Sequence, residues 1–460
     1  MRRYTTHLII ACVCMIPLDA LAAGIEFPDN GTIATGRGGA WAARPTDGLA
    51  FQYNPAGLAW QRGLRVTLDG RATWTSLRFE APGAAAVGSD DAYLAPAGAI
   101  VYGFGAVSGL DDLTVAVGAV GPSAMGKLKY PALGAQRYML IEADYLIAYA
   151  SAAVAVRFLE RFGLGLTVQG AKGHARFSQA TWSGFGTGDD PTQDTIANVD
   201  VTSGYVPTAV AGMSVSLTSQ LALGLSWRPA FHYTADGTLK SQLPASAEPI
   251  KAHQVGDSAT LVLEYPDVIR AGLEWSPTER LRFEVDGVWE GWSVLERIVI
   301  ETHDIKVAYS LGDPVPVPDI VFDKQWQDAW SVRLGAEWTA LQPSSSLPLN
   351  VIARCGYLFE TSAVPDDHLT VEFPNWQRHG VAAGLSFDWR GVGLDIAAAW
   401  QVMPTRDVSD SKIVQITTPG LPPLDAPEAS AIGNGRFDGG HKMISVALRF
   451  ALDGWRAATP

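Results

Sequence analysis

The stretch Arg65-Val66-Thr67-Leu68-Asp69-Gly70-Arg71-Ala72-Thr73-Trp74-Thr75 alternates strictly between two kinds of residue. One set is apolar or small and ends in Trp74, whereas the other consists of threonines and charged side chains. Because successive side chains of a β-strand point to opposite faces, this period of two predicts a strand with one apolar and one polar face.

The same alternation returns at 281–290, 330–339, 392–401 and 444–450. A soluble β-sandwich also produces such a pattern. Here the segments are roughly ten or more residues long, which is the length that a tilted membrane-spanning strand requires. Several of them begin or end in an aromatic residue, and their polar faces carry Arg, Asp and Glu. These features favour a transmembrane barrel with aromatic girdles and a wet lumen.

We therefore predict an all-β fold, a transmembrane antiparallel β-barrel of about 14 strands with long external loops and short periplasmic turns. The even strand number places both chain termini in the periplasm. The predicted strands are 64–79, 93–106, 112–122, 138–158, 161–177, 203–218, 221–235, 257–277, 280–299, 327–340, 347–360, 377–389, 391–404 and 440–451. The predicted long loops are 80–92, 123–137, 178–202, 236–256, 300–326, 361–376 and 405–439.

The first residues have the features of a secretory signal peptide. Arg2 and Arg3 precede a short apolar run, and Ala20-Leu21-Ala22 supplies the small residues of a cleavage site. The predicted division is a signal peptide at 1–22, an N-terminal segment at 23–63, a barrel at 64–451 and a tail at 452–460. The 23–63 segment is rich in Gly and Ala, and it could fold inside the barrel lumen or form a loosely ordered periplasmic tail.

Composition excludes some function classes. The formal net charge of the chain is −13, and nucleic-acid binding is not expected because phosphate contacts need a basic surface. We find no nucleophile elbow, zinc-binding His-Glu-x-x-His helix or phosphate-binding loop, so we expect neither an enzyme nor a cofactor or metal. A catalytic triad assembled across strands remains an alternative, which labelling with a serine-reactive probe would test.

Four groups of residues carry a resemblance to a known family. The first is Gly36-Arg37-Gly38-Gly39-Ala40 followed by Asn54-Pro55-Ala56-Gly57, and the second is Tyr265-Pro266-Asp267 leading to Trp289-Glu290-Gly291-Trp292. The third is Trp330-Ser331-Val332-Arg333 with Arg354-Cys355-Gly356-Tyr357, and the fourth is Phe373-Pro374 with Arg378-His379. In this order they resemble the FadL/TodX family of outer-membrane transporters for long-chain fatty acids and aromatic hydrocarbons, over essentially the mature chain.

The resemblance implies a plugged transporter in the bacterial outer membrane. In such proteins the Gly/Ala segment and the Asn-Pro-Ala motif form a hatch in the lumen, which places Gly36, Arg37, Gly38, Gly39, Asn54, Pro55, Ala56 and Gly57 in the hatch here. It further implies that movement of the N-terminal segment near Ile25 and Phe27 opens a route. The implied exit is a lateral gap at a kinked strand, matched here by Gly118, Gly121 and Pro122.

The charged residues of the polar strand faces have two interpretations: Asp69, Arg71, Arg270, Glu274, Arg282, Glu284, Asp286, Arg333, Glu337 and Arg354. They could pair with one another as a solvated lining. Alternatively, one of the arginines Arg71, Arg270, Arg333 and Arg354 could neutralise the carboxylate of a fatty acid in a ligand pathway.

The expected partners are a hydrophobic small molecule, namely a fatty acid or hydrocarbon, and the lipid and lipopolysaccharide of the outer membrane, with the protein acting as a monomer. The rival functions are an open diffusion porin for polar solutes and a structural or adhesion barrel.

Overall fold

The computed structural model describes residues 30–121, 126–183, 190–310, 312–417 and 430–452. The predicted signal peptide, Ile25, Phe27 and Pro122 lie outside these ranges. The described strands are β1 (Gly63–Glu80), β2 (Val87–Val107), β3 (Leu110–Val120), β4 (Gly126–Lys129), β5 (Glu142–Phe158), β6 (Phe162–Thr181), β7 (Thr195–Thr202), β8 (Val206–Ser216), β9 (Leu221–Arg228), β10 (Phe231–Gln242), β11 (His253–Val255), β12 (Ser258–Tyr265), β13 (Val268–Thr278), β14 (Leu281–Glu290), β15 (Arg297–His303), β16 (Lys306–Ala308), β17 (Val315–Pro316), β18 (Ile320–Asp323), β19 (Ala329–Leu341), β20 (Leu349–Glu360), β21 (Arg378–Trp389), β22 (Val392–Val408) and β23 (Gly435–Ala451).

These strands form a closed antiparallel barrel of 14 strand positions, as the alternation predicted. The barrel closes where β1 pairs with β23, from Arg65 opposite Ala451 to Glu80 opposite Arg436. Several positions are occupied by two shorter strands in succession, for example β9 followed by β10. The other strands, β11, β16 and β17, form a small separate sheet.

The lower wall of the barrel, towards the short turns, has its apolar face outside. On β1, Leu68 and Trp74 are exposed, whereas Thr67 and Arg71 are buried against the lumen. A soluble sandwich would bury the apolar set instead, so this inside-out pattern fits a wall that faces lipid. Outward aromatic side chains occur at both ends of β19, where Trp330 and Trp338 lie roughly 27 Å apart along the strand.

The upper wall, towards the long loops, has the opposite pattern. On β10, Phe231 and Tyr233 face the interior and are buried, whereas His232 and Thr234 are exposed. The same inversion holds on β7, where Val199 is buried and the neighbouring residues are not. The apolar core of the molecule therefore lies inside the upper part of the barrel.

Several predicted strands are wrong because they run through the place where the pattern inverts. The predicted strands at 221–235, 257–277 and 280–299 are each interrupted, at 229–230, 266–267 and 291–296 respectively. Pro229, Pro266 and Gly291 lie at these breaks, and proline removes a donor that a continuous ladder needs. β7, β15 and β18 extend the upper wall into the predicted loops 178–202 and 300–326, and β4 lies in the predicted loop 123–137.

The N-terminal segment lies inside the barrel and precedes β1. It contains two short helices, α1 (Thr32–Gly36) and α2 (Ala50–Tyr53), followed by a 3₁₀ helix at Pro55–Trp60. We call residues 30–62 the hatch. Its side chains Arg37, Trp41, Phe51 and Tyr53 are at most 1% exposed. Further 3₁₀ turns occur at Pro191–Gln193, Ala245–Ile250, Trp292–Val294 and Asp366–His368. None of the helices in the described ranges is long and apolar enough to cross a membrane.

Candidate functional site: the plugged lumen

Carboxylates of the barrel wall hold the first half of the hatch. The backbone N–H groups of Trp41 and Ala42 both donate to Asp286, at 2.7 and 2.9 Å, and that of Ala43 donates to Glu284 at 2.7 Å. Arg37 pairs with the same Glu284 at 2.6 Å. Three backbone hydrogen bonds and one ion pair therefore fix this segment to β14.

Further arginine contacts extend this attachment of residues 37–44 to the wall, and we call the whole attachment the seam. Arg37 also lies 3.3 Å from Glu337, and Glu337 accepts from Arg354 at 2.6 Å. Arg282 donates to the carbonyl oxygen of Arg44 at 2.7 Å. The seam thus contains several of the predicted luminal charges, and most of their charge is compensated by ion pairs within it.

The glycines of the hatch allow its close approach to the wall. Gly38 has a φ of +63°, and a Cβ at this position would lie 2.8 Å from the backbone nitrogen of Tyr357. On the wall side, a Cβ on Gly356 would lie 2.0 Å from the carbonyl carbon of Arg37. Backbone therefore packs directly on backbone, which only glycine permits at such a distance.

The Asn-Pro-Ala-Gly motif holds the second half of the hatch. The Asn54 amide group donates to the carbonyl oxygens of Ala42 and Met213, at 2.8 and 2.9 Å, and its oxygen accepts from the N–H of Ala56. Pro55 then begins the 3₁₀ helix, and a Cβ on Gly57 would lie 2.4 Å from the carbonyl oxygen of Pro45. The motif therefore joins the two halves of the hatch to each other and to β8.

A group of buried arginines lies on the wall between the hatch seam and the upper barrel. We call it the arginine belt: Arg71, Arg228, Arg270, Arg333 and Arg378. Glu360 lies within it, 2.5 Å from Arg378 and 3.6 Å from Arg333. Of the four arginines predicted for a ligand pathway, Arg71, Arg270 and Arg333 lie in this belt, whereas Arg354 lies lower, in the seam.

Above the belt, aromatic side chains form a continuous network, which we call the aromatic chamber. Phe231 stacks on Tyr265 with ring centroids 4.7 Å apart, and Phe373 stacks on Tyr145 at 5.4 Å. Every ring of the network has its centroid within 6.3 Å of the centroid of at least one other member, and the full set is Phe231, Tyr233, Tyr265, Trp292, Trp326, Phe373, Tyr145, Phe177 and Phe322.

The cavity inside this chamber is small. Its volume is about 40 Å³, and it is lined by members of the network together with aliphatic side chains such as Ile147, Leu261 and Ile298. A buried water needs roughly 10–15 Å³ measured in the same way. The cavity therefore has room for only a few waters, and a larger ligand must displace side chains.

One ion pair lies within the chamber, between Lys324 and Glu372 at 2.7 Å. Neither residue was among the predicted site residues, because both fall in predicted loops. The available signal was a lone lysine in the aromatic stretch Val321-Phe322-Asp323-Lys324-Gln325-Trp326, and a glutamate directly before Phe373-Pro374. In the residues that the structure describes, no cluster of His, Cys, Asp or Glu could hold a metal ion.

The wall is irregular at the predicted lateral exit. The ladder between β2 and β3 ends at Ala97 opposite Val120, and Gly121 has a φ of +148°. Within the described ranges, β4 forms its ladder with β5 and not with β2. The ring of Tyr93 lies at this discontinuity, where a Cβ on Gly126 would be 2.5 Å from it.

The fold and the site together define a class of protein, a plugged β-barrel of the outer membrane. The family model described as outer membrane protein transport protein (OMPP1/FadL/TodX) matches residues 13–431. The chain belongs to this family, as its sequence motifs predicted, and it is an outer-membrane protein that transports hydrophobic substrates. The family assignment implies transport rather than catalysis.

Solved structures support the fold. A Pseudomonas aeruginosa FadL homologue superposes with a TM-score of 0.73 at 14% identity, covering 93% of this chain and 99% of its own. The P. putida toluene transporter TodX superposes with a TM-score of 0.67 at 13% identity, covering 93% of this chain and 99% of its own. The Ralstonia pickettii toluene transporter TbuX superposes with a TM-score of 0.63 at 13% identity, covering 92% of this chain and 99% of its own. No curated protein sequence matches this chain.

Proposed function

We propose that this protein is a passive uptake channel for hydrophobic small molecules such as long-chain fatty acids or hydrocarbons, gated by its hatch. The observation that supports this most strongly is the aromatic chamber, which lies in the lumen above the hatch and the arginine belt. Aromatic and aliphatic side chains bind apolar ligands by excluding water. Transport then needs no nucleotide or metal, because the ligand moves down its own gradient.

The proposed path begins at the long loops and enters the chamber. From there the ligand meets the arginine belt, where Arg71, Arg270 or Arg333 would contact any carboxylate that the ligand carries. Movement of the segment near Ile25 and Phe27 would then open the way past the hatch. The seam supports a model in which residues 37–44 stay fixed while this N-terminal segment moves.

The proposed exit is lateral, between β2 and the β3–β4 region near Gly118, Gly121 and Pro122. A ligand gains about 0.8 kcal/mol per methylene on leaving water, so an exit into lipid avoids the cost of hydrating it again. The end of the β2–β3 ladder at Ala97 and Val120, and the ladder that β4 forms with β5, support this location. Tyr93 would act as the door, because its ring packs across the discontinuity.

A diffusion porin for polar solutes is a poorer match to the geometry. A porin needs an open aqueous lumen, whereas the hatch here fills the lumen and is bonded to the wall. The toluene transporters TodX and TbuX share the fold, which is consistent with a hydrophobic ligand for this chain.

The first test is direct. Small molecules are extracted from the detergent-purified protein and identified by mass spectrometry against a detergent blank. A stoichiometric fatty acid or hydrocarbon is the expected result. An empty barrel that conducts ions freely in planar bilayers would refute the proposal and support a porin.

The lateral exit has its own test. Tyr93→Ala should speed the release of a preloaded hydrophobic ligand into liposomes, since it removes the ring that closes the gap. Tyr102→Ala is the matched control, because Tyr102 is 44% exposed on the outer face of the same strand. Equal release from both variants and the wild type would contradict a lateral exit at this place.

A further inference from the structure

The ion pair of the aromatic chamber is isolated from solvent. Lys324 and Glu372 are 4% and 5% exposed. The ammonium group of Lys324 lies 4.9 Å from the ring centre of Phe373 and 5.5 Å from that of Phe322, both of which line the cavity. Moving charges out of water is costly, so a buried pair needs close contact and further hydrogen bonds to persist.

Those further contacts are present. The hydroxyl group of Tyr145 donates to Oε1 of Glu372 at 3.3 Å, while Oε2 accepts from Lys324. Glu372 itself lines the cavity. A ligand in the chamber would therefore meet a carboxylate that already holds the nearest cation.

The charge balance at this point determines which ligands fit. The pair has no net charge, and an uncharged hydrophobic molecule can fill the cavity without disturbing it. A carboxylate would be repelled by Glu372 and would compete with it for Lys324. Discrimination by placing a like charge beside the unwanted ligand is a common source of specificity.

We infer that the Lys324–Glu372 pair is a specificity element that admits uncharged hydrophobic molecules to the chamber and discriminates against carboxylates. This inference rests on the proposed function and narrows its substrate class to neutral compounds, such as hydrocarbons. The pair lies above the arginine belt, so selection happens before a ligand reaches the arginines.

The experiment compares three ligands of one chain length: dodecanol, dodecanoate and dodecylammonium. Each is radiolabelled, and its binding to the intact protein is measured by equilibrium dialysis at pH 7.5 against a micelle blank. Glu372→Gln leaves the lysine charge in place, and Lys324→Gln leaves the glutamate charge. The double variant removes both charges and serves as the matched control.

The wild type should bind dodecanol at least about tenfold more tightly than dodecanoate, as expected for one buried charge contact. Glu372→Gln should shift the preference towards dodecanoate by about tenfold, and Lys324→Gln should shift it towards dodecylammonium by a similar factor. The double variant should prefer dodecanol, as the wild type does. The two single variants should shift the ligand preference in opposite directions, which partial unfolding cannot imitate. If one single variant does not fold, the shift in the other tests the inference.

Two results would overturn the inference and leave the proposed function intact. One is a wild type that binds dodecanoate as tightly as dodecanol. The other is a set of variants whose ligand ratios equal those of the wild type. Binding of none of the three ligands to the wild type would overturn the proposed function and this inference with it.

Discussion

The seam and the aromatic chamber lie in the same lumen and are built from opposite chemistry. The seam joins the hatch to the wall through short charged contacts, such as Arg37 to Glu284 at 2.6 Å. The chamber is held by ring contacts around a small cavity, and Lys324–Glu372 is its ion pair. Directional charge contacts suit a seal that must stay in one place. Rings that can shift suit a space that must open for a ligand.

The largest expected effect comes from removing the seal. Deletion of residues 23–60 should convert a barrel that is silent in planar bilayers into one with a large, steady ion conductance, because the described hatch fills the lumen. The measurement is single-channel recording of the wild type and the deletion variant, with strand content checked by circular dichroism. A wild type that already conducts as well as the deletion variant would show that the hatch is not a plug.

Breaking one buried contact of the seam should loosen the hatch without removing it. Arg37→Met leaves Glu284 buried without its cation, which costs about 3–5 kcal/mol for a buried pair. Hydrogen exchange in peptides from 32–60 should therefore rise strongly. Arg44→Met is the control, because the Arg44 side chain is 30% exposed and its buried partner Glu274 keeps a second cation, Arg282, so that Glu274 is not left without an ion pair. Equal exchange in both variants would argue against the seam as the main attachment.

A smaller change tests the close backbone contact. Gly356→Ala places a methyl group against the carbonyl carbon of Arg37, and such overpacking costs about 1–3 kcal/mol. Gly287→Ala is the control on β14, since no atom lies within 4 Å of the Cβ position there. Hatch exchange should increase in the first variant and remain at the wild-type level in the second. An unchanged Gly356→Ala variant would mean that the hatch can move away from β20 at no cost.

The smallest effect concerns pH and Asp47, a buried hatch residue. Burial, assisted by the nearby charge of Asp69, raises the pKa of Asp47 from 3.8 to about 6. The packed hatch thus favours the protonated form of Asp47. The stabilisation that this proton gives the packed hatch is lost as the pH rises through about 6. Brief channel openings should be more frequent at pH 7.5 than at pH 5, and Asp47→Asn should reduce this difference. A difference of the same size in the variant would exclude Asp47 as its source.

The sequence predicted the lower barrel well because one physical rule applies along it. The lower part of strands such as β1 and β19 has an apolar face towards lipid and a polar face towards the lumen, so the period of two is unbroken there. The hatch motif was recognisable because Gly38 and Asn54 have roles that other side chains cannot fill. The gating and exit roles of the residues named from the sequence remain predictions.

The upper barrel was harder to predict from sequence, because the face that carries the apolar residues changes partway along a strand. Above the breaks at 229–230 and 266–267, apolar residues face inwards and polar residues face outwards. A single alternating pattern therefore changes phase, which made β7 look like part of a loop. Lys324 and Glu372 could not be paired from sequence, because their contact depends on how two loops fold into the chamber.

The most direct test of the account measures two properties of the intact protein together. The protein is reconstituted into liposomes with lipopolysaccharide in the outer leaflet and a cyclodextrin acceptor inside. The transfer of a labelled neutral hydrocarbon to the acceptor is recorded beside the ion conductance of the same preparation in planar bilayers. The account predicts hydrocarbon transfer faster than in protein-free liposomes, with almost no steady ion current. Free ion conduction without accelerated transfer would contradict it.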